Sequence, residues 1–227
     1  MLIILAWIVL TLAVVSLTAV IASRYGVEYM IAMYVALVVT ANVLASKIVL
    51  FAGQTVPAAV IAYSSSFLLT DMLSEFYGER EARKAVWAGF LASIVLALSV
   101  TIAIAWEPAP FWPDQASFES ILGNTPRIVL ASLVAYLASQ HHDVKSYAWW
   151  RRHFPHHLWL RNNASTVVSQ AIDTVLFISI AFYGLFPIGS MIVGQYLVKL
   201  IIAVMDTPFI YSVKRLKVFD RTRDSPR

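Results

Sequence analysis

Lys47, Asp71, Glu75, Asp173, Lys199 and Asp206 fall within stretches that are otherwise apolar. A charge at the centre of a bilayer costs at least about 2.5–3.5 kcal/mol on insertion scales, so one kept there points to function. Lys47 and Glu75 lie near the ends of their stretches, where a long side chain can reach water, and that plain reading suffices for them. Asp71 has a short side chain and lies about one to two turns from the end of its stretch. Asp173 stands about nine residues into its segment, ~14 Å along a helix at 1.5 Å per residue. Lys199 is near the middle of the last stretch, at a similar depth. The short connection from Phe186 to Gly189 makes the two segments neighbours. Asp173 and Lys199 are therefore expected to face one polar cavity, within direct or water-bridged reach. A structural ion pair is the plain reading of them, and a substrate or coupling role the functional one.

Spacing extends the pattern. Asn163, Thr166, Gln170, Asp173 and Thr174 recur three or four residues apart, which lines them up on one face of a helix, with Ser169 at its edge. Ser64, Ser65, Ser66, Thr70 and Asp71 form a second polar patch, and Gln195, Lys199 and Asp206 share a third face. Three such stripes would enclose a wet cavity. Interhelical hydrogen bonds, worth about 1 kcal/mol or less each, account for the serines but poorly for buried aspartates.

The elements that must hold these residues follow from composition. Hydrophobic residues make up 59% of the 227 positions and charged ones 13%, with a mean hydropathy of +0.73. A soluble domain carries about 25% charged residues, and one core could not hide this much apolar surface. The fold class is all-α, a polytopic membrane helix bundle. Seven stretches approach the ~20 residues that span a bilayer: about 2–22, 29–50, 56–76, 84–105, 126–140, 164–184 and 188–211. The fifth ends early at Gln140 and His141, or starts near Leu122 and is broken by Pro126. The first lacks a basic leader and its apolar run is too long for a signal peptide, so it reads as a retained helix. This gives an N-terminal helix over 1–28, a six-helix core over 29–213 and a basic tail over 214–227.

Basic residues orient the bundle. Arg24 lies in the first connection. Arg80, Arg83 and Lys84 lie in that at 77–84, and Lys145, Arg151, Arg152 and Arg161 in that at 141–163. Lys214, Arg215, Lys217, Arg221, Arg223 and Arg227 fill the tail. The connections near 51–56, 106–125 and 185–189 hold none. This alternation predicts an N-terminus outside and a C-terminus inside a plasma membrane. The net charge of +4 is then a topology signal and a contact for anionic lipid, not a nucleic-acid patch. Spans two to four and five to seven make triplets of opposite orientation, each with an aspartate on its middle helix. That is the arithmetic of a 3+3 inverted repeat.

Other chemistries find little footing. The absence of cysteine excludes disulfides, iron–sulfur clusters and a cysteine nucleophile. His153, His156 and His157 fit the H-x-x-H-H box of membrane di-iron enzymes, with His141, His142 and Asp143 nearby. Such enzymes need several boxes, all five histidines lie between 141 and 157, and Pro155 interrupts the helix that would aim them. A cytoplasmic loop is the plainer reading, with no metal and no cofactor expected. No H-E-x-x-H, G-x-S-x-G, P-loop or GxGxxG pattern occurs.

The run Ala41-Asn42-Val43-Leu44-Ala45-Ser46-Lys47 is followed by Leu69 to Gly78, reading LTDMLSEFYG, and by Arg80, Ala82, Arg83 and Lys84. Further on come Gln140-x-x-Asp143, Ser169-Gln170-x-x-Asp173-Thr174 and Lys199. In order and spacing these resemble the queuosine-precursor transporter family, grouped with vitamin uptake transporters, over residues 29–213. The resemblance implies a six-helix core that moves 7-cyano- or 7-aminomethyl-7-deazaguanine into the cell for tRNA modification.

That substrate presents an N1–H and an exocyclic amine beside O6. A carboxylate accepts both donors, and an amide or ammonium serves O6. Asp71 or Asp173 would supply the first, and Asn42, Gln170, Gln195 or Lys199 the second. Tyr63, Phe67 and Phe177 are candidate walls for the flat ring. A substrate-binding membrane subunit that needs an energising partner is the alternative, with a homodimer or that coupling subunit as the protein partners left open. A histidine-box metalloenzyme is the remote one.

Overall fold

In lipid each unpaired backbone N–H or C=O costs several kcal/mol, so a spanning chain closes its hydrogen bonds within helices. A computed structural model describes residues 2–153 and 158–215, with the side chains of 140, 141, 143–166, 207, 210, 211, 214 and 215 outside that description. The helices are α1 (Leu2–Tyr25), α2 (Glu28–Leu44), α3 (Val60–Tyr77), α4 (Glu79–Ala105), α5 (Gln115–Leu122), α6 (Thr125–His153), α7 (Leu158–Phe182) and α8 (Ile188–Arg215). Leu2–Tyr25, Glu79–Ala105, Gln115–Ser139 and Ile188–Asp206 are each long and apolar enough to cross a membrane, and Glu28–Leu44 and Val167–Phe182 are shorter apolar helices. The chain is thus a multi-pass membrane helix bundle. Its serine-rich α3 lies largely inside, packed on α1, α2, α4 and α8. One face of α1, carrying Ile8, Leu12, Val15 and Ala19, is buried against the bundle, while Leu2, Ile3, Leu10 and Leu17 are exposed.

The second and third stretches differ from expectation at their junction. α2 stops at Leu44, and the chain enters an antiparallel hairpin of β1 (Ile48–Phe51) and β2 (Gln54–Pro57), with Phe51 opposite Gln54. Positive φ at both turn residues, 49° at Ala52 and 79° at Gly53, gives the turn whose twist matches paired strands. A short apolar run such as Ile48–Phe51 cannot be told from a helix end by periodicity. β2 lies on α8 at Gly194, where a Cβ would stand 2.6 Å from Val56 Cγ1 and 2.8 Å from the Thr55 carbonyl oxygen. Thr55 Oγ1 and Ser190 Oγ are 2.5 Å apart across the same contact.

Two connections and the fifth span also differ. That at 77–84 shrinks to Gly78, whose φ of 89° reverses the chain. Arg83 and Lys84 instead pair with Glu79 and Glu81 along α4, at 3.1 and 2.6 Å. Pro126 does not break the fifth span. It sits in the first turn of α6, where its missing N–H costs nothing. α6 then runs on to His153, through much of the expected 141–163 connection. Arg127, inside the fifth stretch and absent from the basic pattern above, donates through Nε to the Ile180 carbonyl at 2.6 Å and through Nη2 to that of Tyr183 at 2.7 Å. It thereby satisfies terminal carbonyls of α7, a role open to any helix C-terminus.

Candidate functional site

The deepest charges in the bundle meet. Lys199 Nζ of α8 donates to Asp173 Oδ2 of α7 at 2.5 Å, and both side chains are almost fully enclosed, 2% and 1% exposed. The expected pairing is therefore direct. From α3, Tyr63 donates its hydroxyl to Asp173 Oδ1 at 3.2 Å, so both carboxylate oxygens are engaged. The Tyr63 ring lies 5.3 Å from Lys199 Nζ, close enough for a cation–π attraction. Three helices thus converge on one carboxylate, and each supplies a group that the others need: an isolated charge here would be several kcal/mol worse than a paired one.

Above this triad, toward the hairpin end of the bundle, lies a central cavity. Tyr63, Phe177, Gln195 and Asn42 line it, with Tyr34, Ser93, Ser132 and Tyr136. Its room is about 30 Å³, enough for about two waters. Tyr63 and Phe177 face each other across it almost in parallel, with centroids 6.5 Å apart and planes 12° apart. Asn42 ties three helices together: its Nδ2 donates to Ser93 Oγ of α4 at 2.9 Å, and its Oδ1 accepts from Ser132 of α6 at 3.3 Å. Gln195 is buried beside it, 2% exposed.

The other candidates sit elsewhere. Phe67 packs edge-on to Tyr63 at 5.2 Å but lines clefts on the far side of the triad. Asp71 is exposed, and it lines those clefts too, apart from the cavity. Gln170 also points away from the cavity, into the cleft it shares with Asp71, Lys199 and Asp206. The Ser65, Ser66 and Thr70 hydroxyls bond back to carbonyls of their own helix, so these three make neither the expected interhelical bonds nor part of the cavity. Ser169 meets His142 Nδ1 at 3.1 Å. Asn163, Thr166 and the histidine box at 153–157 lie outside the described side chains, as does His141.

Tyr34, Ser93, Ser132 and Tyr136 were not foreseen as lining residues. The face of α2 that holds Asn42 offered a signal, since Tyr34, Val38, Ala41, Asn42 and Ala45 recur at three or four residues and line one wall. Gly89 of α4 makes room for Tyr34, because a Cβ there would come within 2.7 Å of its ring.

The geometry is that of a buried polar centre between a small internal cavity and a cleft. Comparison with known proteins agrees with it. Residues 57–213 match the family described as "Putative vitamin uptake transporter". Over 183 residues the chain is 38% identical to a protein of Bacillus subtilis (strain 168) named "Probable queuosine precursor transporter", an alignment covering 78% of this chain and 80% of that protein. No solved structure matches significantly. With most of its core matched by the family and its length aligned to that relative, the chain belongs to the vitamin uptake transporter family, whose members are transporters and not enzymes.

Proposed function

We propose that the protein imports 7-deazaguanine precursors of queuosine, 7-cyano- or 7-aminomethyl-7-deazaguanine, across the plasma membrane. One observation carries the reading from the chain itself. The Lys199–Asp173 pair, when opened, offers a donor and acceptors complementary to a guanine edge. Asp173 accepts the N1–H and the exocyclic amine, and Lys199 donates to O6. The ring lies against Tyr63 and Phe177, and Gln195 supplies a further amide at the wall. Asn42 holds the wall in place, while Asp71, Phe67 and Gln170 serve the opposite opening. The relative's name supports the substrate class.

A fused bicyclic base exceeds a cavity with room for about two waters, so loading moves Tyr63 or Phe177 and opens the pair. Binding energy is then linked to a conformational change, as alternating access requires. The hairpin end is the outer one and the Asp71 end the cytoplasmic one, which follows the loop charges with the N-terminus outside and the C-terminus inside. The transporting unit is the six-helix core of residues 29–213, with α1 an addition at its flank.

The test is uptake of labelled 7-deazaguanines in cells unable to make them, with other purines and vitamins as competitors. Wild type should accumulate label, and Asp173→Asn should not, at equal membrane expression. Wild-type uptake by Asp173→Asn would remove that residue from the site. Co-purification of a coupling ATPase complex would favour the binding-subunit alternative.

A further inference from the structure

The guanine edge leaves part of the cavity without a role. Tyr34 of α2 lines the cavity and is 4% exposed, and its hydroxyl makes no hydrogen bond among the described residues. Buried hydroxyls nearly always find a partner, so this one marks a place for a ligand atom. Tyr34 lies about ten residues from the hairpin end of α2, and Asp173 about nine from the matching end of α7, ~15 Å along either axis. The two residues therefore stand at one depth, on different helices around the cavity.

Charge decides which ligand atom fits. Among the described residues, none that lines the cavity carries a formal charge. The ion pair beneath it, Asp173 with Lys199, is neutral as a unit. In the pose proposed above, Asp173 takes two neutral donors and the freed Lys199 ammonium sits on O6. The substituent at C7 is the next group round the ring from O6, so it lies beside that ammonium. A 7-aminomethyl group is an alkylamine, protonated at neutral pH as lysine is. Two ammonium groups sharing O6 at hydrogen-bond length stand roughly 5 Å apart. The lining offers no second carboxylate to separate them. Its aromatic faces give little relief, because Lys199 already lies 5.3 Å from the Tyr63 ring. A nitrile carries no charge and presents one acceptor, which a tyrosine hydroxyl can serve.

We propose that the cavity selects the neutral 7-cyano base over the 7-aminomethyl cation, and that Tyr34 reads the difference by donating its hydroxyl to the nitrile nitrogen. The selection comes from Lys199 on O6 and from a lining without a carboxylate for a second cation. It rests on the transport reading above and on the orientation of the guanine edge given there.

The test is competition for uptake. Cells unable to make deazaguanines, expressing the full chain, take up labelled 7-cyano-7-deazaguanine in the presence of unlabelled 7-cyano, 7-aminomethyl, 7-hydroxymethyl or unsubstituted base. The cyano base should compete on the order of a hundredfold better than the aminomethyl base, the effect of like charges at that separation in a partly screened interior. The hydroxymethyl base matches the aminomethyl base in size without its charge, and should compete clearly better than it. Tyr34→Phe should cut the advantage of the cyano base over the unsubstituted one by about fivefold, the worth of one neutral hydrogen bond. Equal competition by the cyano and aminomethyl bases, with uptake intact, would overturn the selection and leave the transport reading standing. A Tyr34→Phe variant that weakens every base alike would remove Tyr34 as the reader of the nitrile. No uptake of labelled cyano or aminomethyl base by an expressed wild type would sink the transport reading, and this inference with it.

Discussion

Replacing Lys199 by Met tests the triad most directly. The substitution conserves length and removes the ammonium, leaving Asp173 buried with Tyr63 as its one remaining donor among the described residues. Breaking a buried pair by removing one partner costs about 3–5 kcal/mol, because the other charge stays behind uncompensated. At about 2–4 °C per kcal/mol for a chain of this size, the midpoint of unfolding should fall by roughly 6–20 °C. Asp173→Asn alone leaves the ammonium unpaired and should cost a similar amount. The double variant Lys199→Met with Asp173→Asn removes both charges and keeps the volume. Its stability should lie within about 1.5 kcal/mol of wild type, since a buried pair replaced as a unit is close to neutral. The double-mutant cycle should give a coupling of several kcal/mol, well beyond the ~0.5 kcal/mol scatter of independent sites. Uptake should be lost in all three variants. Additive destabilisation, or Lys199→Met as stable as wild type, would refute the claim that the two charges depend on each other.

Tyr63→Phe removes the hydroxyl that reaches Asp173 and keeps the ring facing Phe177, so uptake should fall at least about tenfold, the value of a hydrogen bond to a charge of about 1.5–3 kcal/mol. Tyr63→Leu should abolish it, and equal effects of the two substitutions in an uptake assay would argue against stacking. Gly194→Val forces a side chain into Val56 and the Thr55 carbonyl, and should cost about 1–3 kcal/mol or displace the hairpin, read as a lowered unfolding midpoint. Reporter fusions between α6 and α7 and after Arg227 should report cytoplasm and one at Gln115 the outside; an external signal between α6 and α7 would invert the orientation.

The parts of this fold that sequence revealed are those that energy makes loud. Spanning helices announce themselves because a polar residue in lipid is expensive, and Asp173 and Lys199 stood out for the same reason. Their depth along adjacent helices then placed them together, since helical rise is a fixed ruler. The hairpin was hidden because Ile48 to Phe51 is as apolar as the helix before it, and 51–56 read only as a connection. Only Gly53 and Pro57 marked the change, and Gly194, which lets β2 approach, gives no sign of its partner in the sequence. Asp71 misled for a related reason. Its motif and spacing mimic Asp173, but α3 carries it past the triad to an exposed position, and linear spacing does not report on which side of a contact a residue falls.

This separation gives the two aspartates different work. Asp173 is held from two neighbouring helices, so any ligand that takes its oxygens must first displace Tyr63 or Lys199. Asp71 is exposed, in the cleft it shares with Asp206, apart from the cavity that Tyr63 lines. The Lys199 side chain borders that cleft while its Nζ is bonded to Asp173, so the pair stands between the cleft and the internal cavity that Tyr63 lines. If the Lys199–Asp173 bond is also the edge that recognises substrate, as proposed, it cannot stay closed around bound substrate as it does without it. On the proposed function, the same residues would therefore set both selectivity and gating. A variant that relaxes one should leak through the other, and a bundle with Lys199 and Asp173 both made neutral should be stable, open to neither cargo nor control.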